Sequence, residues 1–237
     1  MPTFQADTNE IKNGLVKISG KEVHHLSHVL RMVPGDDLTI TDGAGQRFRG
    51  TIISCDSIVT VKILEELPSL PPAYPIHLFM ALIKGEGLET IVEKAVELNI
   101  EAIHFIATER SILKEISPAK WERLARIAQA AMKQSGRAQP LRLENPQQME
   151  AALRAHSDLT HFIFLERSQT PTLREIFSDR KITPPYGLWI GPEGGWTDQE
   201  VYLATKAGCI GATLGPLILR APTAALHAIS SLVAVSA

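Results

Sequence analysis

Cysteine is scarce in this 237-residue sequence, which has only Cys55 and Cys209, far apart in the chain. Two distant cysteines give neither a disulfide framework nor a paired-cysteine metal motif, so we expect a reducing compartment, the cytoplasm. Long apolar runs are lacking too: none reaches the roughly 18 residues of a membrane span, and residues 1–20 lack the apolar core of a signal peptide. The sequence therefore predicts a cytoplasmic protein that neither spans nor binds a membrane.

Net charge is also small, at −2, but the charge is unevenly distributed. Between Arg110 and Arg142 eight residues are basic, whereas only Glu115 and Glu122 are acidic. A near-neutral protein with one basic segment is compatible with a polyanionic partner, although the overall charge gives that idea no support.

A proline-rich segment divides the chain. Four of the nine residues 67–75 are proline, which excludes a helix or a central strand and predicts a stiff linker. Before the linker, short β-type runs alternate with turns and one helix. The strands are expected at 15–18, 38–41, 47–53 and 58–64, a turn at Asp42-Gly43-Ala44-Gly45 and the helix at 21–32. This pattern predicts a small, mostly antiparallel, barrel-like β domain.

After the linker, apolar runs of strand length alternate with helical patterns. The runs lie at 76–83, 102–107, 162–165, 187–190 and 212–214. The clearest helix is expected from Pro118 to Ser135, because Ser117 is a suitable N-cap and proline fits the first turn. Such alternation is typical of an α/β fold with a parallel sheet.

Two glycine-rich loops follow strand-like runs near the C-terminus. The first is Ile190-Gly191-Pro192-Glu193-Gly194-Gly195-Trp196, and the second extends from Leu214 to Ala224. Glycines let a ligand approach the backbone, and the amides of a following helix can bind it. Ordinary strand-to-helix turns are the plainer interpretation, and neither dinucleotide-binding nor P-loop motifs are present. Because strand ends meet at one edge of a parallel sheet, we favour one shared ligand pocket.

Basic side chains in two places are candidate functional groups. Arg220 is the one charged residue of the second glycine-rich loop, so it is either paired or functional, and its position after a strand favours function. On the predicted helix, Arg123, Arg126 and Lys133 share one face, which Arg137 would continue. A solvated charged face is the alternative, but arginines on a rigid helix suit phosphate groups.

Histidines near the N-terminus give no metal site. His24 and His28 lie one helical turn apart, but no acidic or cysteine third ligand is near them. Surface histidines explain them better, and we predict no bound metal.

Several short motifs occur in a characteristic order along nearly the whole chain. They are His24-His25-Leu26, Lys84-Gly85, Glu109-Arg110-Ser111, Gln134-Ser135-Gly136-Arg137, the first glycine-rich loop, and Leu214-Gly215 with Leu219-Arg220. Each motif alone is weakly specific, but together they resemble the RsmE family of SPOUT-class RNA methyltransferases. That family methylates N3 of one uridine in 16S ribosomal RNA.

The resemblance implies a PUA-like RNA-binding β-barrel over residues 1–70. It also implies an α/β SPOUT methyltransferase domain over residues 71–237, with a parallel sheet and a deep trefoil knot. The implied molecule is a homodimer that uses S-adenosylmethionine and acts on 16S rRNA of the small ribosomal subunit.

The resemblance also implies site residues. Those expected to bind the cofactor are Leu165, Glu166, Ile190, Gly191, Pro192, Glu193, Gly194, Gly195, Leu214, Gly215, Leu219, Thr223 and Ala224. Arg220 is the expected catalytic residue, because uridine N3 must lose its proton and a cation would stabilise the charge that develops. Those expected to bind RNA are Arg31, Arg110, Arg123, Arg126, Lys133 and Arg137.

Five residues depart from the family pattern. Thr3 and Leu217 replace arginines, Asn99 replaces a glycine, and Ala221-Pro222 replaces a Thr-Glu pair. The last change removes a carboxylate from the expected site, so two alternatives stay open. The chain could be a catalytically impaired relative that only binds RNA, or a relative retargeted to another RNA. A metabolic α/β enzyme unconnected with RNA is a third alternative.

Overall fold

The computed structural model describes residues 1–6, 11, 13–41, 46–68, 74–137, 139–166 and 169–236. The turn expected at 42–45 and the linker positions 69–73 lie outside these residues. The chain forms two compact units, Met1–Pro72 with Gln129–Pro140 and Ala73–Ala128 with Leu141–Ala237. The segment Gln129–Pro140, which the sequence assigned to the second domain, therefore belongs to the first unit.

The first unit contains a five-stranded sheet. Its strands are β1 (Thr3–Gln5), β2 (Leu15–Ile18), β3 (Asp37–Thr41), β4 (Arg47–Cys55) and β5 (Val59–Leu67), in the spatial order β1-β3-β4-β5-β2. Neighbouring strands are antiparallel except β1 and β3, which are parallel. Phe4, Val16, Leu38, Ile40 and Val61 are among its fully buried core residues. The predicted small, mostly antiparallel β domain is confirmed, and β1 is a strand that the sequence did not predict.

The helix of this unit is shorter than expected. Helix α1 (Lys21–His24) continues as a π-helical turn (His25–Val29), so regular structure ends before position 32. Arg31 has a φ of 53°, a left-handed conformation that a helix cannot contain.

The second unit contains a six-stranded, entirely parallel sheet. Its strands are β6 (Tyr74–Ala81), β7 (Ile100–Ala107), β8 (Arg142–Gln148), β9 (Thr160–Phe164), β10 (Tyr186–Ile190) and β11 (Ile210–Ala212), in the order β11-β9-β10-β6-β7-β8. The predicted α/β fold with a parallel sheet is confirmed. The trefoil knot concerns the path of the whole chain and stays a prediction.

Within the described residues, six helices connect or follow these strands. They are α2 (Gly87–Glu97), α3 (Pro118–Ser135), α4 (Met149–Ala155), α5 (Leu173–Asp179), α6 (Asp198–Lys206) and α7 (Ala221–Ser236). Helix α7 packs against α2, α5, β6 and β10, whereas α4 packs against α6, β7 and β8. Helix α3 has the predicted bounds, and the Ser117 hydroxyl accepts a hydrogen bond from the Lys120 amide. No helix in the described part of the chain has both the length and the apolarity to cross a membrane.

Two features of this unit differ from expectation. Strand β8 was missed because its sequence is polar and contains Pro146, which an edge strand tolerates. The linker prediction was wrong at its ends, since Leu67 ends β5 and Tyr74-Pro75 begin β6.

Gly187 on β10 is a position where packing over the sheet requires glycine. A methyl group at Gly187 would lie 2.1 Å from Nδ1 of His161 and 3.0 Å from the Phe79 ring. That nitrogen accepts a hydrogen bond from Nε1 of Trp189 at 2.9 Å, so the imidazole cannot move away freely. We predict that Gly187→Ala lowers the free energy of unfolding by about 1–3 kcal/mol, as measured by urea denaturation.

Gly211→Ala on β11 is the matched control for that substitution. Its methyl group would come no closer than 3.1 Å to a neighbouring atom, the Cγ2 of Thr170, so a smaller loss is expected. Equal losses in the two variants would contradict the proposed clash at Gly187.

Candidate active site

A cavity of about 980 Å³ lies at the carboxyl edge of the parallel sheet. Residues at or just beyond the ends of β6, β9, β10 and β11 line it, namely Ile83, Phe164, Ile190 and Thr213. Among the residues expected to bind the cofactor, all line the cavity except Thr223, and Arg220 also lines it. The two glycine-rich loops therefore meet at one cavity, because strand ends in a parallel sheet converge. Cofactor binding by these residues stays a prediction.

Other cavity-lining residues were not predicted. They include Lys84, Gly87, Trp196, Asp198, Leu217 and Ile218. Lys84 could have been found from the sequence, because it is the first charged residue after the apolar run that forms β6. The strand-end argument that selected Arg220 applies to it equally.

The first glycine-rich loop makes a tight turn before α6. The Gly195 amide donates to the Pro192 carbonyl at 2.8 Å, and Gly195 has a φ of 67°, which glycine adopts without strain. Helix α6 then starts with a capping box, in which Thr197 and Glu200 bond reciprocally. The buried Glu200 also accepts a hydrogen bond from the Glu109 amide at 2.8 Å. This carboxylate thus joins the end of the loop to the segment after β7.

Arg110 braces the same loop. Its Nη1 donates to the carbonyls of Gly194 and Trp196, at 3.0 and 3.1 Å. A methyl group on Gly194 would lie 3.2 Å from Cβ of Arg110, so the arginine side chain packs directly along the glycine. Arg110 was expected to bind RNA, but the structure places its guanidinium on the loop that walls the cavity.

Trp196 holds the loop from another direction. Its indole Nε1 donates to the Phe164 carbonyl at the end of β9, at 3.2 Å. The ring lies 3.2 Å from the position that a methyl group on Gly191 would occupy. The loop is therefore held by the segment after β7, the end of β9 and the start of α6, and it lines the cavity.

The second glycine-rich loop carries a cation into the cavity. Gly215 has a φ of 112°, and its amide donates to the Thr213 hydroxyl. Arg220 immediately precedes α7, and its carbonyl accepts the Ala224 amide at 2.9 Å. No ion pair or side-chain hydrogen bond joins the exposed Arg220 guanidinium to a described residue. Pro222 lies in the first turn of α7, where an amide donor is not needed.

An ion-pair cluster supports the loop after β6. The largely buried Glu89 carboxylate pairs with Lys120 and Arg123, both at 2.6 Å. These contacts, that with Lys120 foremost, lower the pKa of Glu89. Lys120 also donates to the Gly85 carbonyl at 3.0 Å, so α3 fixes the position of the loop that carries Lys84.

The residues expected to bind RNA do not form one uniform basic face. Arg126 is exposed and has no ion pair within the described ranges, whereas Arg123 pairs with Glu86 and Glu89, and Lys133 with Glu22. Arg31 is exposed in the first unit, after the helix end.

Arg137 does not continue the exposed stripe, and that expectation is wrong. Its side chain is only 4% exposed, Nε donates to the Gln139 carbonyl at 2.5 Å, and burial lowers its pKa to about 10. The reason is Gly136, whose φ of 74° turns the chain out of α3 before Arg137.

The cavity has the composition of a site for a polar organic ligand. Its walls combine glycine backbone, apolar side chains such as Phe164 and Ile190, the carboxylates Glu166, Glu193 and Asp198, and the cations Lys84 and Arg220. Pockets that bind cofactors typically have such apolar walls with a few polar groups, in volumes of about 300–1,000 Å³.

Comparison with known families identifies both parts of the chain. Residues 70–233 match a family described as RNA methyltransferase domain, and residues 18–64 match one described as RNA methyltransferase PUA domain. The five-stranded unit therefore has the PUA assignment that the resemblance implied.

Individual relatives agree with these matches. Ribosomal RNA small subunit methyltransferase E of Synechocystis is 33% identical over 94% of this chain and 75% of the relative. The same-named enzyme of Neisseria gonorrhoeae, solved with S-adenosyl methionine, is 29% identical with a TM-score of 0.84, covering 98% of this chain and 96% of that one. A Legionella pneumophila methyltransferase solved with SAM is 31% identical, with a TM-score of 0.82 and coverages of 98% and 97%. This chain is therefore a member of the ribosomal RNA small subunit methyltransferase E family of RNA methyltransferases.

Proposed function

We propose that this protein transfers a methyl group from S-adenosylmethionine to N3 of one uridine in the 16S rRNA of the small ribosomal subunit. The observation that supports this function most directly is the cavity at the carboxyl edge of the sheet, where the two glycine-rich loops meet. Arg220, which has no ion pair among the described residues, also lines it. Two relatives named ribosomal RNA small subunit methyltransferase E match most of the chain, and they support this function over a metabolic one. Because its proposed substrate is made in the cytoplasm, we place the protein there.

The donor set of the cavity fits S-adenosylmethionine. Apolar walls at Phe164, Leu165 and Leu219 suit an adenine ring, and the close-packed backbone of Ile190–Gly195 suits hydrogen bonds to its edge. The carboxylates Glu166 and Glu193 suit ribose hydroxyls and the cofactor's positive charges. We assign cofactor binding to the residues expected from the sequence that line the cavity, a set that does not include Thr223.

When bound, S-adenosylmethionine supplies a methyl group that its sulfonium charge already activates. The protein must then align N3 of the uracil with that methyl group and stabilise the charge that remains when N3 loses its proton. Arg220 provides a fixed positive charge for that purpose. Lys84 is a second exposed cation on the cavity wall and is positioned to hold the same base or an adjacent phosphate.

RNA binding is proposed for the first domain and for the exposed arginines of α3. We take residues 1–70 as the RNA-binding domain and residues 71–237 as the methyltransferase domain. Arg31 and Arg126 are exposed and suit phosphate contacts. Arg123 is also exposed, so it can give up its ion pair with Glu86 and contact a phosphate instead. Arg110 and Arg137 are removed from this group because each has a structural role.

We also propose a homodimer. Leu217 and Ile218 line the cavity and are 77% and 53% exposed, and Ile112 is 67% exposed. Large apolar side chains at the edge of a polar site indicate a surface that another chain covers. Sedimentation equilibrium is expected to give the mass of two chains, and a monomer at micromolar concentration would contradict this proposal.

Loss of the carboxylate at the Ala221-Pro222 position is the observation that favours the second candidate function, a silent or retargeted RNA-binding relative. The substitution leaves the helix start intact, since Pro222 fits the first turn of α7.

One experiment separates the two functions. Labelled methyl transfer to small subunits that lack N3-methyluridine is measured, and the site is mapped by reverse-transcription arrest. A single arrest at one uridine supports the enzyme; binding without transfer supports the silent relative.

Arg220→Ala tests the proposed catalytic cation. We expect the rate of methyl transfer to fall by roughly 10²-fold or more, because the developing negative charge on the base loses its nearest counter-charge. Arg220→Lys keeps the charge and is expected to recover part of the rate. Circular dichroism checks folding, and near-normal turnover of Arg220→Ala would remove Arg220 from this role.

Arg110→Ala tests whether this arginine braces the loop or binds RNA. Loss of two hydrogen bonds at about 0.5–1.5 kcal/mol each predicts a roughly tenfold weaker affinity for S-adenosylmethionine by calorimetry. The salt dependence of RNA binding should stay unchanged. Arg126→Ala is the matched control and should flatten that salt dependence while leaving cofactor affinity unaltered. The reverse pattern would return Arg110 to RNA binding.

A further inference from the structure

A histidine cluster lies in the second unit, away from the proposed active site. His77 stands in the first half of β6, His104 is on the adjacent β7, and His156 caps the C-terminus of α4. The active-site cavity begins only at Ile83, beyond the end of β6, and none of the three histidines lines it. The proposed methyl transfer gives this cluster no role.

The three rings are close enough to share one small ligand. Nδ1 of His77 and Nε2 of His104 are 2.9 Å apart, and the His156 ring centre lies 4.4 Å from that of His104. One nitrogen from each ring can be chosen so that all three lie within 4.8 Å of one another. Among the described residues, this is the group of histidine, cysteine and acidic side chains that has such an arrangement.

His104 leaves one ring nitrogen unsatisfied. Its side chain is 2% exposed, and Nδ1 has no hydrogen-bond partner among the described residues. Because Nε2 alone is bonded, one polar nitrogen lacks a partner in either neutral tautomer. Buried polar atoms without a partner are rare in folded proteins. The nitrogen that faces His77 is Nε2, so Nδ1 is not itself the metal ligand, but its presence shows that polar groups rather than a filled apolar core occupy this place.

A carboxylate lies beside the cluster, whose other neighbours include the aromatic ring of Phe79. Oε1 of Glu101 lies 3.6 Å from Nε2 of His77, where a carboxylate can orient an imidazole ligand from outside the first coordination sphere. Glu101 is held in turn by Arg142 at 2.6 Å. His156 is only partly buried, so it offers an entry route and an open position for water.

We propose that His77, His104 and His156 form a binding site for a late first-row divalent metal ion, with Zn²⁺ as the representative ligand. Three imidazole nitrogens and one water complete the four-coordinate sphere that Zn²⁺ prefers. Binding replaces the hydrogen bond between His77 and His104 by two coordinate bonds. The ion joins β6, β7 and the end of α4, so its role is structural.

No sequence motif indicates this site, because its three histidines are remote from one another in the chain. His24 and His28, the pair that the sequence singled out, lie stacked with ring centres 4.6 Å apart on the surface. They offer two ligands rather than three and serve as an internal control.

Tag-free protein is stripped with a chelator and titrated with Zn²⁺ by calorimetry and with Co²⁺ by visible absorption. We expect one ion per chain, the absorption of a four-coordinate Co²⁺ centre, and a higher unfolding temperature with Zn²⁺. His156→Ala should weaken the affinity at least tenfold and abolish the temperature shift. The double variant His24→Ala with His28→Ala should bind as the parent does.

Nitrogen-15 spectra of the histidine rings give a test that needs no variant. On addition of Zn²⁺ the ring signals of His77, His104 and His156 should shift together, at one ion per chain. Absence of binding, an unchanged affinity in His156→Ala, or binding lost in the His24 and His28 double variant would each overturn the proposal.

Discussion

Close packing around the first glycine-rich loop is the constraint on which the rest of the site depends. Gly194 lies against the stem of Arg110, and Gly191 lies against the Trp196 ring, so a methyl group at either position would come within 3.2 Å of its neighbour. Arg110, which follows β7, holds the loop through a hydrogen bond to the Gly194 carbonyl. Trp196 holds it to the end of β9. A loop fixed in this way can present backbone amides to a ligand without an ordering cost at each binding event.

How much of this arrangement the sequence could predict depends on whether the signal is local. The apolar strands of the parallel sheet and the helix from Pro118 to Ser135 are short-range patterns. The helix was predicted with its exact bounds, and those strands were predicted with bounds shifted by up to two residues. The role of Arg110 was not, because its partners lie more than eighty residues away in the chain. Strand β8 was missed for a different reason: a polar edge strand has no apolar periodicity.

Helical-wheel reasoning reached its limit at Gly136. The wheel correctly places Arg123 and Arg126 on an exposed face, but it assumes that the helix continues to Arg137. One left-handed residue ends it and buries the following arginine. The departure at Asn99 is explained by the same backbone rule, since its φ of 55° is one that asparagine tolerates in place of glycine.

The central claim is that the loops at the carboxyl edge of the sheet bind S-adenosylmethionine. A crystal structure of the protein soaked with that cofactor tests it most directly. The account predicts ligand density against the backbone of Ile190–Gly195 and of the loop from Leu214 to Leu219, with the methyl group directed towards Arg220. Saturating cofactor that leaves this cavity empty, or density at another place on the chain, would contradict it.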